Sequence, residues 1–192
     1  MDKGRLEAFS DGVIAILITI MVLELKMPQG TDWRALQPII PTLLSYVLSF
    51  IFLGIYWNNH HHMLQTVDRV NGKILWANLR LLFWLSLVPF VTSWTGQYHF
   101  DPLPTALYGG VFIMAAFAYI ILQGCIIRFQ GPESKLAMAV RRDFKGKLSI
   151  GLYAVGILLS VLAHPWLGAR LYVLVAVLWF VPDPRIESRL NP

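Results

Sequence analysis

Side chains able to do chemistry are sparse in this sequence and fall at three places. The first is the segment RLEAFSDGVIAILITIMVLELK, where Arg5, Ser10 and Asp11 border an otherwise apolar run. A carboxylate at a membrane boundary is costly without a partner. Arg5 lies six positions before Asp11, too far for an i,i+4 pair on one helix face. Two readings follow from the physics alone. Either Asp11 meets a partner on another helix or subunit, or Ser10 and Asp11 sit among lipid headgroups and simply start the helix. Further along the same segment, Ile16, Thr19 and Leu23 recur at i, i+3 and i+7, with Ile20 on the same side. That spacing draws one stripe along a helix. In so apolar a segment, lipid or a neighbouring helix covers such a stripe as readily as a pore does.

The second place is YWNNHHHMLQ, with His60, His61 and His62 in succession. Adjacent helical positions point about 100° apart, so the three rings cannot converge on one ion. No H-E-x-x-H and no paired cysteines occur, and no metal site is expected. A hydrogen bond from one of these histidines to Asp11 or Ser10 across helices is the better use of a polar ring in a membrane bundle. The third place is NLRLLFWLSLVPFVTSW. Here Arg80 is expected to snorkel or to pair with an acid, and Pro89 to kink its helix. Cys125, the only cysteine, lies inside ILQGCII and reads as a packing residue, with no intrachain disulfide available. His164 beside Pro165 reads as turn chemistry. The sequence has no G-x-S-x-G, P-loop or Rossmann glycines, so it suggests neither an enzyme nor a cofactor.

The elements that must position these residues are membrane helices. Only 14% of residues are charged against 56% hydrophobic, and the mean hydropathy is +0.58. Soluble domains carry roughly 25% charged residues, too many more for this chain to cover a wetted surface. The expected fold class is therefore all-α, a polytopic six-transmembrane-helix bundle forming one domain over residues 1–192. At about 20 residues per span, six spans fill the chain. They run at about Leu6–Leu25, Ala35–Trp57, Gly72–Trp94, Pro104–Phe129, Leu148–Ala163 and Trp166–Val181. The last two are short enough that four spans plus a non-spanning hairpin is the alternative. Glu7 and Asp11 stand where a signal peptide would be basic, so the first helix is expected to be retained.

The net charge of +5 does not point to nucleic acid, because the basic residues sit between hydrophobic runs and form no stripe. Lys3 and Arg5 precede the first helix. Arg128, Lys135, Arg141, Arg142, Lys145 and Lys147 crowd the link between the fourth and fifth, and Arg185 and Arg189 follow the sixth. The asymmetry places both termini and that link in the cytoplasm. Trp33, Trp57, Trp94 and Trp166 fall at expected helix ends, as an interfacial aromatic belt would.

Arg5-x3-Phe9-Ser10-Asp11, Trp57-x2-His60, and Asn78 with Leu87-x-Pro89-Phe90-x-Thr92 resemble the transmembrane protein 175 family. That family comprises endolysosomal potassium channels of animals and smaller prokaryotic relatives. The resemblance covers the first three helices, roughly half the chain; the last three match in hydropathy and number only. It implies a single-repeat, prokaryotic-type potassium channel without a selectivity-filter loop, in a prokaryotic cell membrane. It also implies a homotetramer whose first helices line the pore, with K⁺ and other monovalent cations as permeant ions. The constriction would fall at Ile16, Thr19, Ile20 and Leu23. Arg5, Phe9, Ser10, Asp11, His60 and Asn78 would form a structural polar network. A secondary or proton-coupled transporter using Asp11 and His60 is the alternative. Against it, ionisable residues are missing near the midplane and paired broken helices are absent.

Overall fold

The computed structural model describes residues 2–67, 69–140 and 144–180. Val181, Arg141, Arg142, Arg185 and Arg189 lie outside them. The described chain is helical throughout: α1 (Lys3–Leu23), a 3₁₀ segment (Trp33–Ile39), α2 (Ile40–Gln65), α3 (Gly72–Ser86), α4 (Val88–Gln97), α5 (Pro102–Gln130), α6 (Lys135–Val140), α7 (Phe144–Leu162) and α8 (Pro165–Phe180). Taken with the 3₁₀ lead-in to α2 and the α3–α4 pair as single spans, five segments are long and apolar enough to cross a membrane. The sixth, α8, has 16 residues and reaches about 24 Å. The protein is an all-helical polytopic membrane protein.

Local chemistry explains the element boundaries. Asp2 caps α1, its carboxylate accepting from the Gly4 N–H at 3.3 Å. Asn71 caps α3 through Ile74 N–H at 2.9 Å, and Asp32 opens the 3₁₀ segment through Ala35 N–H at 3.0 Å. Pro38 lies within that segment and Pro41 in the first turn of α2, where the missing N–H costs little. Pro89 does more than bend its helix. It sits in the first turn of α4, and the helical run is interrupted at Leu87.

Three expectations need correction. The second span does not end at Trp57: α2 runs on to Gln65, which places Trp57 within the helix and carries His60–His62 on its last turns. Trp57 is therefore not part of a helix-end belt. The link before α7, expected only as a basic stretch between the fourth and fifth spans, also holds the short helix α6. The first helix begins earlier, at Lys3, so 21 residues give it about 31 Å.

The core is built around α5. Phe112, Ala115, Ala118, Leu122 and Ile126 recur every three or four residues, all buried, and α5 packs against α3, α4, α7 and α8. Phe52 and Phe112 meet at 4.4 Å between ring centres; Tyr108 and Tyr153 pack on Phe112, and Tyr172 on Tyr153. α7 and α8 form a helical hairpin on this core. The N-terminal helix α1 packs on α2, α3 and α4.

Candidate functional site

The polar residues singled out along α1, α2 and α3 split into two clusters and two exposed side chains. Ser10 lies on the inner face of α1 and is fully buried, as are His60 on α2 and Asn78 on α3. Helical spacing makes this meeting possible, because α1 turns Leu6, Ser10, Ile14, Leu17 and Met21 toward the bundle. Asn78 Nδ2 donates to Ser10 Oγ at 2.9 Å, and Ser10 Oγ donates to the Leu6 carbonyl at 2.8 Å. With its amide nitrogen so committed, Asn78 presents Oδ1 to His60 Nε2 at 2.7 Å. An amide oxygen only accepts, so His60 carries its proton on Nε2. The chain of donors, His60 to Asn78 to Ser10 to Leu6, therefore has one direction and ties three helices together. His60 Nδ1 is left a bare, buried acceptor with no hydrogen-bond partner among the described residues.

Asp11 stands one residue further along, at the edge of the bundle. Its partner is Trp57, whose indole N–H donates to Oδ1 at 3.0 Å. The expectation that one of the histidines would bond Ser10 or Asp11 directly is corrected: Asn78 stands between His60 and Ser10, and Asp11 is held by an indole instead. A stretch of α2 one turn long thus serves both clusters, since Trp57 and His60 are three positions apart. His61, stacked on Trp57, bonds Gln65, and Lys3 reaches the Gln65 carbonyl while pairing with Glu7 at 3.7 Å. Arg5 and Phe9 join neither cluster within the chain, and both are exposed. Arg80 is exposed as well.

The opposite face of α1 is uncovered. Ile16 is 56% exposed and Leu23 80%, and Thr19 and Ile20 are exposed beside them. Thr19 Oγ1 donates to the Ile16 carbonyl at 2.9 Å, which leaves its oxygen lone pairs free to face outward.

One cluster went unnoticed in the sequence. In the half of the bundle away from the N-terminus, Tyr108 OH bonds Ser49 Oγ at 2.9 Å, Ser49 bonds Thr92 Oγ1 at 2.6 Å, and Thr92 donates to the Val88 carbonyl at 2.6 Å. Thr92 belongs to the Leu87-x-Pro89-Phe90-x-Thr92 run already singled out, but nothing in the spacing pointed to Ser49 or Tyr108.

Fold and site together define a class: a polytopic helical membrane protein whose N-terminal helix is anchored by buried polar bonds and bare on its far side. Comparison with known proteins resolves the class further. The sequence profile of the endosomal/lysosomal potassium channel TMEM175 matches residues 5–89. A potassium channel of Chryseobacterium sp. (strain P1-3) is 57% identical over 191 residues, covering 100% of this chain and 99% of that one. A potassium channel of Streptomyces collinus is 36% identical over 181 residues, 85% of this chain and 88% of the relative. The crystal structure of a lysosomal potassium-selective channel TMEM175 homologue from Chamaesiphon minutus superposes with a TM-score of 0.79 at 28% identity, over 93% of this chain and 96% of that one. The chain belongs to the TMEM175 family, a family of ion channels rather than enzymes.

Proposed function

We propose that this protein is a potassium-permeable cation channel, one channel domain spanning residues 1–192, that works as a homotetramer with α1 lining a central pore. The observation that carries the reading is the uncovered face of α1, where Ile16, Thr19, Ile20 and Leu23 lie opposite the buried face that holds the helix in the bundle. The potassium channels among its full-length relatives supply the permeant ion.

The mechanism follows from the side chains. Four copies each of Ile16 and Leu23 would form apolar rings, which gate by expelling water. Such rings offer a dehydrated cation no ligands. The outward lone pairs of Thr19 are the only oxygens on the stripe, so discrimination between cations would rest on pore width and on those hydroxyls. The Ser10–Asn78–His60 chain and the Asp11–Trp57 bond would hold the pore helix at a fixed rotation. Arg5 lies eleven residues before Ile16, close to three full turns, and so falls on the same face. Exposed in the single chain, Arg5 and Phe9 are available to a neighbouring subunit. Both termini are assigned to the cytoplasm from the placement of Lys and Arg, in a prokaryotic cell membrane.

Potassium flux from liposomes tests the function. The purified protein should carry potassium down its gradient, with discrete single-channel currents and no coupled ion. Ile16→Asn should raise conductance or weaken the preference for potassium over sodium. An unchanged current in the folded Ile16→Asn oligomer would remove Ile16 from the constriction.

A further inference from the structure

At the end of the bundle away from the N-terminus, where α1 stops, α2 begins and α4 ends, a cavity of about 600 Å³ opens. Neither the polar anchor nor the apolar stripe accounts for it. Ile39 and Thr42 line it on one side, and Glu24, Lys26, Gln97 and Tyr98 on others. Its volume suits a small organic group.

The charges on its wall are arranged unusually. Glu24 is fixed through one oxygen, Oε2, which accepts from Ser93 Oγ at 3.0 Å, while Gln97 Nε2 donates to Ser93 at 2.7 Å. Its second oxygen has no bond among the described residues. Lys26 has no hydrogen bond or ion pair among the described residues, and it does not pair with Glu24. An ammonium and a carboxylate that line one cavity without neutralising each other suit a ligand carrying both charges a few ångströms apart. The position in the bilayer narrows the ligand. Three spans end here; the ring of Tyr98 lines the cavity, 57% exposed, and Trp33, 87% exposed, opens the 3₁₀ segment that carries the lining residues Ala35, Pro38 and Ile39. Amphipathic rings collect at headgroup level.

We infer that this cavity binds the headgroup of an ethanolamine phospholipid, its phosphate on Lys26 and its ammonium on the free oxygen of Glu24. The glycerol end would leave past Ile39 toward the apolar faces of α2. A choline headgroup carries no N–H to donate to Glu24, and a glycerol headgroup carries no cation at all. Both should be held less well than ethanolamine.

Thermal unfolding of the purified protein in detergent, supplemented with phosphatidylethanolamine, phosphatidylcholine or phosphatidylglycerol, tests the assignment. Phosphatidylethanolamine should raise the midpoint by about 2–4 °C more than either other lipid. Lys26→Gln and Glu24→Gln should each abolish that difference, and Lys73→Gln, at the other end of the bundle, should preserve it. If Glu24→Gln disturbs folding through Ser93, Lys26→Gln decides alone, because Lys26 bonds nothing within the described chain. Equal midpoints in all three lipids, or a difference that survives Lys26→Gln, would overturn the assignment. So would an equal rise from soluble glycerophosphoethanolamine, which would give the site to a free zwitterion instead. None of these outcomes depends on ion flux, so the channel reading stands or falls separately.

Discussion

At the scale of single residues, the chain spends its few buried polar groups on position rather than on chemistry. Asn78 is the joint of the anchor, since it alone touches both His60 and Ser10. Asn78→Leu would leave His60 Nε2–H without its acceptor and Ser10 Oγ without its donor. Such orphaned groups cost about 1–3 kcal/mol, toward the lower end inside a bilayer. Unfolding in a denaturing detergent, followed by circular dichroism, should show that loss; unchanged stability would mean the three residues are not an anchor. Asp11→Ala removes the acceptor for the Trp57 indole, and its expected effect is lower expression or assembly with the ion preference intact. If selectivity collapses in an intact oligomer, Asp11 belongs to the pore instead.

The limits of the sequence show clearly at this scale. That Ser10, His60 and Asn78 act together came from a family resemblance, because nothing in the spacing of three residues on three helices fixes which atoms meet. The donor direction needed coordinates. An indole beside an apolar run marks an interfacial belt on average, and the sequence carries no more than that about Trp57. Its actual use depends on α2 continuing eight residues further, which hydropathy cannot register once the sequence turns to Asn and His. Arg5 was placed in the network by association with Ser10 and Asp11. Helix periodicity sets it on the opposite face, and that could have been worked out from the numbering alone.

At the scale of elements, hydropathy located all six apolar helical segments to within a few residues at most ends, because a bilayer demands long apolar runs and little else. What it could not supply is how closely two spans approach. α4 and α2 come together at Gly96, where an added Cβ would lie 2.5 Å from the Thr42 Cα and 2.6 Å from Ser45 Oγ. The first of these is backbone, which cannot swing aside. Gly96→Ala should therefore force the helices apart and cost about 1–3 kcal/mol. Gly110→Ala is the matched control, since nothing lies within 4 Å of its new Cβ, and there the better helix propensity of alanine should leave stability equal or slightly higher. The same unfolding titration reads both. A Gly96→Ala protein as stable as the parent would show that α2 and α4 can separate without penalty. The interrupted helix at Leu87 belongs here too. Pro89 foretold a bend, and on the separate α4 that it opens the Thr92 hydroxyl meets Ser49, which in turn bonds Tyr108.

At the scale of the whole molecule, the single chain leaves α1 with one face satisfied and one bare, and the open question is what covers the bare one. The helix alone does not decide. At 21 residues it can span, yet its longest run without a charge is the twelve residues from Gly12 to Leu23, about 18 Å of an apolar core near 30 Å thick. A helix so short in apolar length is a poor surface for lipid but a reasonable one for an axis shared with its copies. Disulfide trapping distinguishes the two. With Cys125 replaced by serine, Ile16→Cys should give covalent dimers under mild oxidation in membranes, because side chains at a constriction converge to where two Cβ atoms can reach the roughly 4 Å that a disulfide needs between them. Leu158→Cys offers an equally exposed side chain, 57%, on α7, whose packing partners are α5 and α8, and it should remain monomeric. If Leu158→Cys cross-links and Ile16→Cys does not, the copies meet through the α7 side and α1 faces lipid. The pore would then have to lie elsewhere in the assembly, and Ile16, Thr19 and Leu23 would be membrane-facing residues of no special role.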